Sequence, residues 1–201
     1  KRELCLLRWG LIPSWAKDMT AGARQINARA ESAAVKPAFR RAFRTRRCLI
    51  PADGFYEWQR RGAGKQPYHI RMQDGQPFAF AGLWEEWEGT IAGPIESCTI
   101  LTTAANELVA PLHDRMPVIL APADFALWLD PKTTDAAALK PLLRPYPAEQ
   151  MIAVPVSAAV NDPARDDRAC VEPLKTELPP LPAPKRRRKL ADTETGQGLL
   201  F

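Results

Sequence analysis

The sequence predicts an α+β fold, with a mixed, barrel-like β-sheet core and short peripheral helices. Three observations carry this. Strand-like apolar runs recur between residues 47 and 102, separated by turn signals. Twenty prolines against eleven glycines mark many strand ends and turns rather than a helix bundle. Helical spacing of apolar residues is confined to short stretches.

In chain order, Leu4–Trp9 reads as a strand and Gly10–Trp15 as an irregular loop. A short helix begins near Pro37, since proline suits the first turn. Phe39, Ala42 and Phe43 give it an apolar stripe, leaving Arg40, Arg41 and Arg44 largely off it. Strands follow at Arg47–Ile50, Gly54–Arg60, Tyr68–Met72 and Phe78–Trp87. A flexible loop, Arg61–Lys65, joins the second and third of these, and Asp74-Gly75 is a hairpin signal between the third and fourth. Glu96–Thr102 is another strand. One helix starts near Pro122 with Phe125, Trp128 and Leu129 inward, another covers Asp135–Leu143, and Met151–Val156 is a last buried strand. The domain spans residues 1–174, and residues 175–201 form a flexible tail, first proline-rich and then basic.

The 201 residues are 46% hydrophobic and 25% charged, enough for a sizeable core. No apolar run approaches the ~20 residues needed to cross a bilayer, and no signal peptide is recognisable. Cys5, Cys48, Cys98 and Cys170 lack zinc-finger spacing, and there are only two histidines, so no metal is expected. The thiols read as free and mostly buried, in a cytoplasmic protein. Net charge is +5, yet Arg24–Arg47 alone carries +7 and Lys185–Lys189 a further +5. Such concentration suggests a polyanionic partner; a solvated helix face is the plainer alternative.

Three segments combine polar groups with apolar framing. In Ile26-Asn27-Ala28-Arg29-Ala30-Glu31, an extended chain would put Asn27, Arg29 and Glu31 on one face. In Asp53-Gly54-Phe55-Tyr56-Glu57-Trp58, a carboxylate between aromatics is poorly solvated, which raises its pKa toward proton-transfer use. In Leu112-His113-Asp114-Arg115-Met116-Pro117, an imidazole lies two residues from a guanidinium. Each has a plainer reading: Asn27 as a turn cap, Glu57 as half of a cross-sheet ion pair, His113 as a satisfied turn histidine. The residues alone leave these alternatives open.

Four motifs in order resemble the SOS response-associated peptidase (SRAP) family. They are Arg8-Trp9-Gly10-Leu11-Ile12-Pro13-Ser14-Trp15-Ala16, Ile26–Glu31, Arg47–Trp58 and His113–Pro117, with Val154-Pro155-Val156-Ser157 and Val160-Asn161 also fitting. The resemblance covers about Leu4 to Pro173. It implies binding of single-stranded DNA at abasic sites, without cofactor, by a bacterial, nucleoid-associated monomer. It implies that an N-terminal cysteine, exposed by self-removal of the initiator Met, condenses with the ring-opened sugar to a protective thiazolidine crosslink. Carried over by motif, Asn27 orients the reacting amine or sugar, Glu57 is the acid/base, and His113 assists proton transfer. Arg29 and Arg115 hold phosphates, Arg40 and Arg44 extend the basic surface, and Trp15 stacks on a base. Trp9 and Trp58 read as core.

No Met-Cys-Gly-Arg segment precedes Lys1, and only seven residues precede the Arg8-Trp9-Gly10 motif, where the family has several dozen. Cys5 cannot stand in, because its nitrogen lies in a peptide bond. From these residues alone, no thiazolidine is expected, at most a reversible lysine Schiff base, and a sheet edge is left uncovered. The terminal Gln197-Gly198-Leu199-Leu200-Phe201 resembles the peptides that dock on the bacterial sliding clamp through a glutamine and two apolar anchors, here Gln197, Leu200 and Phe201. Two competing functions follow: a non-covalent single-stranded DNA or clamp adaptor, and a cysteine peptidase acting in trans through Cys98 and His113. The second conflicts with Cys98 lying in an apolar strand, since a catalytic thiolate needs an accessible, electropositive setting.

Overall fold

The computed structural model describes residues 3–62, 64–89, 91, 93–175 and 181. Ten strands are assigned among them: β1 (Arg8–Trp9), β2 (Asn27–Arg29), β3 (Arg47–Ala52), β4 (Phe55–Arg61), β5 (Gly64–Met72), β6 (Phe78–Trp87), β7 (Ile95–Ala104), β8 (Arg115–Pro117), β9 (Ile119–Leu120) and β10 (Met151–Pro155). Four short helices accompany them: α1 (Ala30–Ala33), α2 (Arg40–Thr45), α3 (Phe125–Leu129) and α4 (Ala136–Leu139). The fold is mixed α+β, as expected. The strands form a seven-stranded and a three-stranded sheet rather than a closed barrel.

In the larger sheet, β7 pairs antiparallel with β6, and β6 with β3. The opposite edge of β7 takes β1 and then β2, both parallel. Beyond Ile100 the segment 115–120 bridges β7 and β6: β8 pairs with β7 and β9 with β6. Val118 seals the gap, donating to the Leu101 carbonyl and accepting from Ala81 N–H, each at 2.8 Å. The sequence reading missed this crossing, because six residues with no alternation carry no strand period. The smaller sheet runs β10-β5-β4, all antiparallel.

Alternation along the strands creates two cores. One face of the large sheet packs Leu83 and Leu101 against Phe43 of α2, Trp128 of α3, Leu139 of α4 and Leu11. The other packs Phe80 and Ile100 against Phe55, Ile70 and Met72 of the small sheet. The expected stripe on α2 is there, with Phe39, Ala42 and Phe43 buried and Arg40, Arg41 and Arg44 exposed. Asp135 caps α4 through Ala137 N–H, and a 3₁₀ turn over Lys140–Leu142 completes that segment.

Several expectations need correction. The first strand is only Arg8–Trp9, and Leu4 and Leu6 before it are exposed. Trp9 is not core: it is 57% exposed, with its indole N–H donating to the Ile26 carbonyl at 2.8 Å. Trp58 is half-buried and donates to Asn161 Oδ1 at 2.8 Å. The Arg61–Lys65 loop is tighter than expected, because the β4–β5 ladder runs to Arg61↔Gly64. Cys5 is exposed, unlike the buried Cys98 and Cys170. The basic run Lys185–Lys189 and the proposed clamp anchors Gln197, Leu200 and Phe201 lie outside the described residues.

Candidate active site

The C-terminal third of β7 gathers two of the three polar segments. Asn27, Ala28 and Arg29 pair with Ile100, Leu101 and Thr102 on one edge. Arg115, Met116 and Pro117 pair with Ala104, Thr103 and Thr102 on the other. Alternation buries Ala28 and leaves Asn27 and Arg29 exposed. The chain turns helical at Ala30, so Glu31 leaves that alternation and sits in the first turn of α1. From there its carboxylate grips Arg115, with Nη1–Oε1 at 2.6 Å and Nη2–Oε2 at 2.9 Å. Salt-bridged this way, Glu31 is held below the ordinary carboxylate pKa, chiefly by its hydrogen bonds from Arg115.

His113 precedes β8 in an exposed turn. Arg115 N–H donates to His113 Nδ1 at 3.0 Å. The same Nδ1 lies 3.1 Å from the Arg115 carbonyl, to which it can donate when it carries a proton. Glu57 arrives from the smaller sheet, half-buried on β4 opposite Tyr68. Burial pushes its pKa up, and the charge of His113 opposes that rise. Glu57 and His113 therefore lie within electrostatic reach, although they belong to different sheets. Three residues before Glu57, Gly54 admits the buried His69 ring: a Cβ on Gly54 would lie 2.0 Å from His69 Nε2.

Trp15 stands apart from this group. It is 67% exposed and lines a shallow hollow with Lys17, Thr20 and Arg24. Its loop is pinned by a close backbone approach. Gly10 has φ 111°, and a Cβ there would meet the Gly22 carbonyl oxygen at 2.7 Å. Arg41 on α2 donates to Ser14 Oγ at 3.4 Å, which ties the face bearing Arg40 and Arg44 to the Trp15 loop.

Not every arginine of the basic segment is available to a partner. Arg47 is buried and donates to the carbonyls of Phe43, Arg44, Trp128 and Asp130. Arg46 pairs with the buried Glu85 and lies over the Trp84 ring. Sequence reasoning counted both in the charge of the basic segment, because their partners lie far away in sequence. Thr102 was also missed, since only strand pairing shows that it meets Arg29 and Arg115 together.

Cys98 is buried, and burial raises its pKa; Cys48 is pushed up to about 12 by burial. Neither resembles an activated nucleophile. Among the described residues no three His, Cys, Asp or Glu side chains are placed to hold a metal. No described helix is long and apolar enough to cross a membrane. A cavity of about 740 Å³, lined by residues including Leu49, Phe78, Leu120, Phe125 and Tyr146, contains none of the predicted site residues. Asn27 and Arg29 lie on open surface.

The model of the SOS response associated peptidase (SRAP) family matches residues 1–163. This chain belongs to that family. It is 48% identical over 167 residues to the abasic site processing protein YoqW of Bacillus subtilis, covering 83% of this chain and 75% of that protein. It is 34% identical over 204 residues to the abasic site processing protein HMCES of Gallus gallus, covering 89% and 60%. A crystal structure of a protein from Bacteroides thetaiotaomicron matches with a TM-score of 0.77 at 31% identity, covering 84% of this SRAP chain and 75% of that one.

Proposed function

We propose that this SRAP protein binds single-stranded DNA at abasic sites and processes the lesion by acid–base chemistry centred on Glu57. The observation that carries this is the half-buried Glu57, its pKa raised by burial, within reach of the His113 charge. The names of the related proteins supply the substrate class. An abasic sugar opens to an aldehyde. An amine adds to it, and the carbinolamine loses water to give an imine. A proton must leave the nitrogen and another must reach the departing hydroxyl. A carboxyl group with a raised pKa can serve both transfers near neutrality. A protonated ring nitrogen of His113 can donate to a sugar oxygen. Asn27 can orient the sugar or amine with its amide, and the exposed Arg29 can meet a flanking phosphate. Trp15, whose loop is tied to α2 through Arg41, and the exposed Arg40 and Arg44 of α2 offer a stacking and basic surface for adjacent nucleotides. In this reading the amine and thiol that close a thiazolidine come from an N-terminal cysteine, which Cys5 cannot replace.

The test compares the full gene-encoded protein on abasic and intact single strands of one sequence. Preferential binding of the abasic strand and a covalent adduct, slowed by Glu57→Gln without loss of affinity, is the expected result. Equal affinity for both strands with no adduct would sink the proposal.

A further inference from the structure

We propose that Asn161 is a positioning residue of this site, acting through Trp58 on the adjacent Glu57. The inference rests on the acid–base reading of Glu57 above. Asn161 ends the 3₁₀ turn Ala158–Asn161, which the Ser157 side chain caps by accepting from Ala159 N–H. From there its Oδ1 accepts the Trp58 indole N–H at 2.8 Å, across 103 residues of chain. Side chains alternate along β4, so Tyr56 and Trp58 point to the face opposite Glu57. Both are tied to the same C-terminal stretch: the Tyr56 hydroxyl donates to the Cys170 carbonyl at 3.2 Å. That stretch is anchored at its far end, where Val156 bridges Pro173 and Leu174 N–H donates to the Pro155 carbonyl at 2.9 Å.

Strand β4 needs such a restraint because it ends the three-stranded sheet. Among the described residues its ladder runs on one side only, to β5, where Glu57 faces Tyr68. An edge strand has half the backbone bonds of a central one. The second restraint comes from behind. The Tyr56 ring centroid lies 6.4 Å from that of Trp58 and 5.2 Å from that of His69. His69 in turn lies against Gly54, where a Cβ would not fit. The back of β4 is therefore held at residues 54, 56 and 58. Neighbouring Cα atoms are fixed about 3.8 Å apart, so a shift of Trp58 is passed to Glu57 through one peptide bond. The order of influence is Asn161, Trp58, Glu57.

Trp58→Phe, Asn161→Leu and Asn161→Asp, made in the full gene-encoded protein, test this. The first two remove the donor or the acceptor, and Asn161→Asp keeps an acceptor oxygen. Three quantities are read: affinity for abasic single-stranded DNA, the single-turnover rate of adduct formation at saturating DNA against pH, and the melting temperature. Gln66→Leu serves as the comparison, because Gln66 Nε2 donates to the Val156 carbonyl at 2.8 Å and ties the same stretch to β5 rather than to a neighbour of Glu57. Positioning predicts nearly unchanged affinity, a rate lowered about 10-fold in Trp58→Phe and in Asn161→Leu, as misplacement of a reacting group does, and a displaced pH profile in both. The double variant should lose nothing further, and Asn161→Asp should recover most of the rate. Gln66→Leu should lower the melting temperature and leave the saturated rate alone. Wild-type rates in Trp58→Phe and Asn161→Leu overturn the proposal. So do equal rate losses in Asn161→Leu and Gln66→Leu, which make the bond a structural staple, or a loss of affinity with the saturated rate intact, which puts Trp58 on the DNA. If Asn161→Leu does not fold, Trp58→Phe, which keeps an aromatic ring, supplies the same readings. An adduct rate unchanged by Glu57→Gln overturns the functional reading itself; a slow Glu57→Gln beside wild-type rates in the Trp58 and Asn161 variants overturns this inference alone.

Discussion

Glu57 and Glu31 sit on different elements of the fold, and their surroundings push them in opposite directions. Glu57 is half-buried on the smaller sheet, and burial raises its pKa. Glu31 is held on α1 by a guanidinium, and the hydrogen bonds from Arg115 lower its pKa. The first carboxyl is thereby suited to gain and lose a proton. The second keeps a permanent charge. Two identical functional groups are thus separated by pKa: Glu57 is suited to exchanging a proton, and Glu31 holds an ion pair with Arg115.

The largest effect should come from the Glu57 side of the contrast. Glu57→Gln keeps the shape and removes the titration, so processing should slow about 10²–10⁴-fold, the usual worth of a general acid/base. Single-turnover kinetics check this, and a saturated rate within a few-fold of wild type would show that Glu57 is an ordinary strand carboxylate. Gly54→Ala should come next. Its Cβ would collide with His69 beneath the start of β4, since the ideal separation is only 2.0 Å. Overpacking of this kind costs about 1–3 kcal/mol, and a chemical-denaturation midpoint unchanged from wild type would refute it. Arg29→Ala should reduce DNA affinity and lower the salt slope by about 0.7, the share of one phosphate contact on a single strand.

Much of this contrast was legible before the structure. Alternation and turn residues marked β4, β5 and β6, and a carboxylate framed by Tyr56 and Trp58 suggested a raised pKa. The apolar spacing on α2 showed its buried face. What sequence patterns could not show was set by tertiary pairing. Glu31 reads as a third member of an extended face with Asn27 and Arg29, but α1 begins at Ala30 and carries it to Arg115 instead. The β8–β9 crossing is held by partners on two strands and has no period of its own. Arg47 looks like surface charge because nothing local reveals the four carbonyls that solvate it in the core. Trp9 reads as core, whereas its place on the edge strand β1 leaves it 57% exposed.

The smallest effect is the most direct test of the comparison, because the two carboxylates should respond to pH with opposite signs. Folding raises the pKa of Glu57 above its ordinary 4.5, so the folded chain binds that proton more tightly than the unfolded chain. Its contribution to stability is fully present below 4.5 and is lost as pH rises through the folded value. Folding lowers the pKa of Glu31 below 4.5, so its contribution is present above 4.5 and is lost as pH falls through the folded value. At neutral pH, Glu31→Gln should therefore destabilise and Glu57→Gln should stabilise. The Glu31 carboxylate is 58% exposed, so after solvent screening the pair contributes no more than about 1 kcal/mol. That corresponds to a melting-temperature loss of roughly 2–4 °C in a chain of this size. Thermal melts of both variants and wild type from pH 3 to pH 8 should show the Glu31→Gln deficit closing at the acid end. Over the same range the Glu57→Gln advantage should shrink as Glu57 itself becomes protonated. If the two variants instead depart from wild type in the same direction at neutral pH, the carboxylates share one kind of environment, and the contrast between a buried carboxyl and an ion-paired one fails.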